Sequence, residues 1–368
     1  LASYYLNLRF GMQSNQKWLK TFLFSLITLI GLGALFVFDA SLVESEITFG
    51  NPYFLFKKHL LGILIGFFAF LFGYFVPYKF WNKVAVWLYL LGILSLLAVF
   101  IPGIGLELNG AKRWLNLPLI NFQSVEFFKF ALIAFFTKLL AKKQKLSVFL
   151  LFLVPPLILL ILQPDLGSLL LVLSISFGLY FFAGGSMKSI IVLCLSVTPL
   201  IVLAIIASPY RLQRLTTFLN PESDPLGASF HVRQMVVALG RGGWFGQGIG
   251  NSRQKYAYIP EASTDSIFAI VGEEIGFLGG LIIISLYLCL IISSYKLTNH
   301  SKIETDEQLF GLGIANWITL QTMLNLAAAT SLLPLTGVPL PFFSYGRSSQ
   351  IMLLLAIGVL MKIGRKKL

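Results

Sequence analysis

The sequence predicts an all-α integral membrane protein. We read a single polytopic domain over residues 1–368, with ten transmembrane helices, both termini cytoplasmic and a large extracytoplasmic loop between spans 7 and 8. Three observations carry this reading. Hydrophobic residues make up 57% of the chain and charged residues only 12%, against roughly 25% charged in soluble proteins. Apolar runs close to the roughly 20 residues that a hydrocarbon core requires recur along the whole chain, which excludes a single-anchor enzyme. Basic residues flank these runs with the bias that orients membrane proteins.

Hydropathy places the spans near 21–38, 60–76, 84–102, 124–141, 147–163, 166–183, 188–207, 266–294, 309–332 and 348–364. The first follows Lys17 and Lys20 of a cytoplasmic segment, 1–20, and lacks a small-residue cleavage site, so it is read as a permanent span. Lys79 and Lys83 separate spans 2 and 3, and Lys142, Lys143 and Lys145 separate spans 4 and 5. Lys188 opens span 7, Lys296 and Lys302 separate spans 8 and 9, and a basic tail, 365–368, closes the chain. With the N-terminus inside, all of these face the cytoplasm.

Of the 15 acidic residues, only Glu304, Asp306 and Glu307 then lie inside. Acids contribute little to orientation, so the outer side is either a working polar surface or a solvated face without chemistry. The loop 208–265 is polar and glycine-rich, and too long for a plain connection. Trp244, Phe245, Tyr256 and Tyr258 favour a folded cap or re-entrant element there.

The net charge of +13 is explained by basic residues beside the spans, and no nucleic-acid partner is expected. Cys194 and Cys289 lie in apolar runs without a CxxC pattern, and His59, His231 and His300 have no metal-ligand spacing. The glycines between Gly240 and Gly250 match neither dinucleotide nor P-loop spacing.

Several groups are suited to chemistry. Glu126 and Lys129 share one face of span 4, where ionisable groups mark a cavity or a mutual ion pair that fixes packing. Asp165, in Gln163-Pro164-Asp165-Leu166-Gly167, either caps span 6 or reacts. Arg211, Arg214, Arg241, Arg253 and Lys255 suit either a diphosphate or lipid headgroups. Asp265 opens span 8 at the water–membrane boundary, where partial burial raises a carboxyl pKa and a helix N-terminus lowers it. Such a residue serves as a general base or belongs to the cap. Glu273 and Glu274 follow within the span.

Taken together, an ordered set of fragments resembles the SEDS family (FtsW, RodA, SpoVE). The fragments are Lys112-Arg113-Trp114, Phe122-Gln123 with Glu126 and Lys129, Gln163 to Gly167, Asn220-Pro221 to Asp224-Pro225, Pro260-Glu261 to Asp265, Glu273-Glu274 with Gly276, and Gly337 to Gly346. The resemblance implies a multi-pass protein of the bacterial cytoplasmic membrane that polymerises lipid II on the outer face, with undecaprenyl diphosphate released. A class B penicillin-binding protein is the implied transpeptidase partner. Asp265 then matches the family's essential aspartate, and Glu126 and Lys129 its fourth-span ion pair. Lys112, Arg113, Arg211, Arg214 and Lys255 are the candidates for the diphosphate, with Asp165, Glu261, Glu273 and Ser344 as further site candidates. A divalent cation, Mg2+ or Mn2+, is compatible with the diphosphate chemistry, although the sequence shows no dedicated cage.

Ser208 to Arg214 and Asn251 to Ala262 look more like FtsW, which would add divisome partners and a septal location. Glu222 to Gly227 leans toward RodA and cell elongation, and the balance favours FtsW. There are three departures from the family pattern: Gln123-Ser124-Val125-Glu126 for the usual Gln-Pro-Ser-Glu, Ser266 for a Phe, and Arg347 for a Gly. A lipid II flippase or transporter and a non-catalytic scaffold are the rival readings.

Overall fold

The structure is a computed structural model, and it describes residues 2–108, 111–116, 121–142, 145–206, 208–220, 229–256, 262–299 and 304–365. Ten long helices overlap the ten predicted runs. They are α1 (Ala2–Phe49), α2 (Phe54–Phe75), α3 (Tyr78–Ala98), α4 (Ser124–Ala141), α5 (Leu146–Leu162), α6 (Leu166–Phe182), α7 (Met187–Ile206), α10 (Ile267–Thr298), α11 (Thr305–Ala329) and α12 (Arg347–Arg365). Two shorter helices, α8 (Pro209–Leu219) and α9 (Phe230–Gly242), lie within the long loop.

Among the described residues, α2, α3, α10, α12 and the part of α1 from Gln16 are long and apolar enough to cross a membrane. Two of the others differ for a physical reason. Helix α4 carries Glu126, Lys129 and Lys138, and nearly all of its side chains are buried against protein. Helix α11 buries Asn316, Gln321, Thr322 and Asn325. These two form the interior of the bundle, where neighbouring helices rather than lipid answer polar groups. Cys194 and Cys289 are exposed on α7 and α10.

Hydrogen bonds define the two ends of the bundle. At one end Ser45 Oγ accepts from Leu55 N, and Gln123 N donates to Ser348 Oγ, both at 3.0 Å. At the other end Asp306 accepts from Tyr78 Oη at 3.2 Å and from Asn82 at 3.1 Å, while Arg365 donates to Tyr74 Oη. The C-terminal end of α1 and the N-terminal ends of α2, α4 and α12 therefore share one end, together with the linkers that carry the site.

One feature departs from an all-α reading. Between α3 and α4 the chain forms β1 (Gly105–Leu108), β2 (Ala111–Asn116) and β3 (Asn121–Gln123), an antiparallel sheet in the order β1-β2-β3. Trp114 faces both Leu106 and Gln123 in register. The sheet delivers Arg113 to the site, and β3 runs directly into α4.

Helix α10 is broken at Gly276, whose φ of 69° leaves the helical region. The freed backbone groups are taken up by the segment after α9. Gln247 N and Gly248 N donate to Glu273 O and Glu274 O at 3.0 and 2.9 Å, and Phe277 N donates to Gly243 O at 2.8 Å. Close approach makes this work: a Cβ on Gly242 would stand 1.9 Å from Gly272 O. We expect Gly242→Ala to lower stability by about 1–3 kcal/mol through this overlap. Gly240→Ala, with nothing within 4 Å of the added methyl, should be neutral or stabilising, and thermal unfolding of the two purified variants checks the contrast.

Candidate active site

Lys129 is buried inside α4, and its Nζ donates to Glu126 Oε1 at 2.8 Å and to Gln321 Oε1 at 3.0 Å. The ammonium also lies 4.9 Å from the Trp317 ring centroid. Trp317 Nε1 donates to the same Gln321 oxygen at 2.7 Å, while Gln321 Nε2 donates to Pro339 O at 3.0 Å and Ser349 Oγ at 3.2 Å. The pair seen in the sequence is thus the centre of a network joining α4, α11 and the 339–349 segment. At the entry to α4, Ser348 Oγ accepts from the Gln123 amide at 3.0 Å.

Asp165 is the N-cap of α6, accepting from Ser168 N at 3.0 Å and from Ser168 Oγ at 2.8 Å. It is also one side of a cationic cluster. Arg113 Nε stands 3.9 Å from Asp165 Oδ2, and Arg113 Nη2 donates to Pro164 O at 2.6 Å. Arg211 donates to Ile161 O, and Arg214 Nη1 donates to Leu335 O at 2.9 Å. Burial, then the neighbouring Arg113 charge, lowers the Arg211 pKa, and Asp165 opposes this. All three guanidinium groups donate to backbone carbonyls, and Arg113 also stands beside the Asp165 carboxylate.

These three arginines line one cavity of about 120 Å3, whose other walls include Leu166, Leu170, Ile201, Ile205 and Leu324. Cations at one margin and aliphatic walls beyond suit an amphiphile with an anionic head.

Asp265 is partly buried immediately before α10. Thr264 Oγ1 donates to its Oδ1 at 3.2 Å, and Asn325 Nδ2 donates to its backbone carbonyl at 3.0 Å. Burial raises its pKa above the ordinary carboxylate range, while the Arg214 charge and the Thr264 hydrogen bond oppose the rise. Arg214 therefore belongs to both the cavity wall and the electrostatic surroundings of Asp265.

Other sequence candidates take different positions. Lys255 binds Asp39 at 2.7 Å, Glu274 at 3.2 Å and Gly250 O at 2.7 Å. Burial lowers its pKa, but the Asp39 and Glu274 charges outweigh this and raise it. Its protons are engaged in joining the loop to α1 and α10, away from the arginine cluster. Glu273 accepts from Ser252 Oγ at 2.5 Å and from the Arg253 and Gln254 amides at 3.3 Å, and Arg241 Nε lies 3.7 Å away. Ser344 Oγ accepts from Leu340 N at 2.9 Å and fixes the turn before α12. Lys112 is exposed on β2, Arg347 packs over Gly62 with a helical backbone, and Glu261 lies outside the described residues.

Sequence reasoning missed Trp317, Gln321 and Asn325, although their i, i+4, i+8 spacing marks a polar stripe on an otherwise apolar helix. Among the described residues no three His, Cys, Asp or Glu side chains cluster to hold a metal ion. Removal of one buried partner by Lys129→Met should cost about 3–5 kcal/mol because Glu126 is left uncompensated. Adding Glu126→Gln should recover much of that loss, measured by thermal unfolding.

Comparison with known proteins agrees with this architecture. Stage V sporulation protein E of Bacillus subtilis is 36% identical over 92% of this chain and 94% of its own length. The probable peptidoglycan glycosyltransferase FtsW of Coxiella burnetii is 38% identical over 92% of this chain and 93% of its own. A solved chain described under structural coordination of polymerization and crosslinking by a peptidoglycan synthase complex superposes with a TM-score of 0.76 and 27% identity, covering 94% of this chain and 97% of its own. The rod shape determining protein RodA of Thermus thermophilus shares the fold at a TM-score of 0.69 and 24% identity, over 94% of this chain and 96% of its own. The family model for cell cycle proteins of the FtsW, RodA and SpoVE type matches residues 19–368, and the chain belongs to that family.

Proposed function

We propose that this chain is a peptidoglycan glycosyltransferase that polymerises lipid II at the outer face of the bacterial cytoplasmic membrane. In this reading it has ten spans with both termini inside, and the 208–265 segment lies outside. The single observation that carries the reading is that Arg214, which lines a cavity with Arg113 and Arg211, also acts electrostatically on Asp265.

Asp265, ionised, accepts the proton of the acceptor sugar hydroxyl as that oxygen attacks the donor's anomeric carbon. The bond from that carbon to the diphosphate oxygen breaks, the configuration inverts, and the electron pair leaves with undecaprenyl diphosphate. Arg113, Arg211 and Arg214 stabilise the charge that gathers on this leaving group. The raised pKa makes Asp265 a stronger base than an ordinary carboxylate, and the Arg214 charge opposes the rise. Lys129 and Glu126 hold α4 and α11 in register behind the site.

A class B penicillin-binding protein is the expected partner, supported by the likeness to a chain of a peptidoglycan synthase complex. The FtsW-named relatives favour a septal role in division.

Purified protein given fluorescent lipid II should form glycan strands, and Asp265→Asn should reduce the rate by at least about a hundredfold. Normal polymerisation by that variant would overturn the assignment. A carboxylate whose folded pKa is raised opposes folding once the pH exceeds its unfolded value. Asp265→Asn should therefore be no less stable than the parent at pH 7, by thermal unfolding. Activity should fall on acidification through the raised pKa, and Arg214→Ala, which removes the opposing charge, should move that acid limb to higher pH.

A further inference from the structure

The turn that carries Asp265 is held from the helical bundle at three points. Tyr345 N donates to Ser263 O at 2.8 Å, Ser263 Oγ donates to Glu44 Oε2 at 3.0 Å, and Asn325 holds the Asp265 carbonyl. A fourth hold comes from the loop. His231 Nε2, in the first turn of α9, lies 2.7 Å from the hydroxyl of Ser266.

Ser266 is fully buried and occupies the N-cap position of α10, yet its side chain makes no cap hydrogen bond. A serine at that position ordinarily bonds the amides of the first turn. Here the hydroxyl is turned to the imidazole instead. Helix α9 itself is seated on α10 by Met235, Ala238 and the Gly242–Gly272 approach. His231 is therefore delivered by a docked helix to the residue that follows Asp265, and Ser266 stands where the family pattern has a phenylalanine without a hydroxyl.

We propose that His231 is a positioning residue for Asp265, acting through Ser266, and that this hydrogen bond makes seating of α9 a condition for a correctly aimed base. The inference rests on Asp265 being the general base. A base must meet its proton within a few tenths of an ångström. The backbone of the turn is fixed at the carbonyls of Ser263 and Asp265, and Ser266 adds a side-chain hold beyond them. Without the His231 contact, the carboxylate retains its charge and its Thr264 partner but samples more orientations.

The test uses the full-length protein and fluorescent lipid II, with kcat and KM measured separately. His231→Ala should lower kcat by about five- to tenfold, the equivalent of one lost hydrogen bond, with KM within about twofold. Ser266→Ala should reproduce the loss, and the double variant should lose no more than either single one. His231→Gln, which can still hydrogen-bond Ser266, should restore kcat to within about twofold. Thermal unfolding of each variant identifies any that misfolds, and the Gln variant keeps the test decisive if the Ala variant does. Unchanged kcat in His231→Ala, or losses that multiply in the double variant, would overturn the inference. Asp265→Asn in the same assay separates the two levels: if it is inactive while His231→Ala is normal, only the positioning role fails. If it polymerises normally, the base assignment fails first.

Discussion

A buried ammonium group sets the terms for the rest of the bundle. Lys129 is 1% exposed, at a depth where an unanswered charge would cost several kcal/mol. Its answer draws on separate parts of the chain: Glu126 one helical turn away, and Gln321 together with the Trp317 face from α11. Gln321 then passes the constraint on through Pro339 and Ser349 to the start of α12. The same 339–349 segment contains Tyr345, whose amide holds Ser263 two residues before Asp265. An ion pair in the interior is thus connected, through ordinary hydrogen bonds, to the turn at the surface.

The two cationic regions are built differently, and the difference separates structure from chemistry. Lys255 meets two carboxylates and a carbonyl, so its charge is spent on attaching the loop to α1 and α10. Arg113, Arg211 and Arg214 donate to the carbonyls of Pro164, Ile161 and Leu335, and Arg113 stands 3.9 Å from Asp165. Carbonyls orient a guanidinium without neutralising it. All three line the cavity, and the Arg214 charge favours the ionised form of Asp265.

Much of this was legible in the sequence. Predicted spans at 147–163, 166–183 and 348–364 meet Leu146–Leu162, Leu166–Phe182 and Arg347–Arg365, because apolar runs end where polar linkers begin. Helix α1 runs past its predicted end to Phe49, since hydropathy senses the surrounding solvent and not the backbone, and Glu44 and Glu46 continue the helix. The sheet carrying Arg113 escaped notice because strands of three to six residues leave no usable period. Helix α9 was hidden in a polar loop, although Val232, Met235, Ala238 and Gly242 mark its buried face. Asp165 and Asp265 stood out by their local setting. What a single sequence cannot express is which distant groups meet: Lys255 reaches Asp39 across 216 residues, and no local spacing encodes that.

The break in α10 has a consequence for how the loop can vary. Residues 243–248 act as a splint, the amides of Gln247 and Gly248 and the carbonyls of Gly243 and Trp244 bonding backbone groups on either side of Gly276. A single residue inserted into that stretch would put donors opposite donors for the rest of the match. The splint therefore behaves as a piece of the helix rather than as a surface loop, and its length is as fixed as that of a turn of backbone.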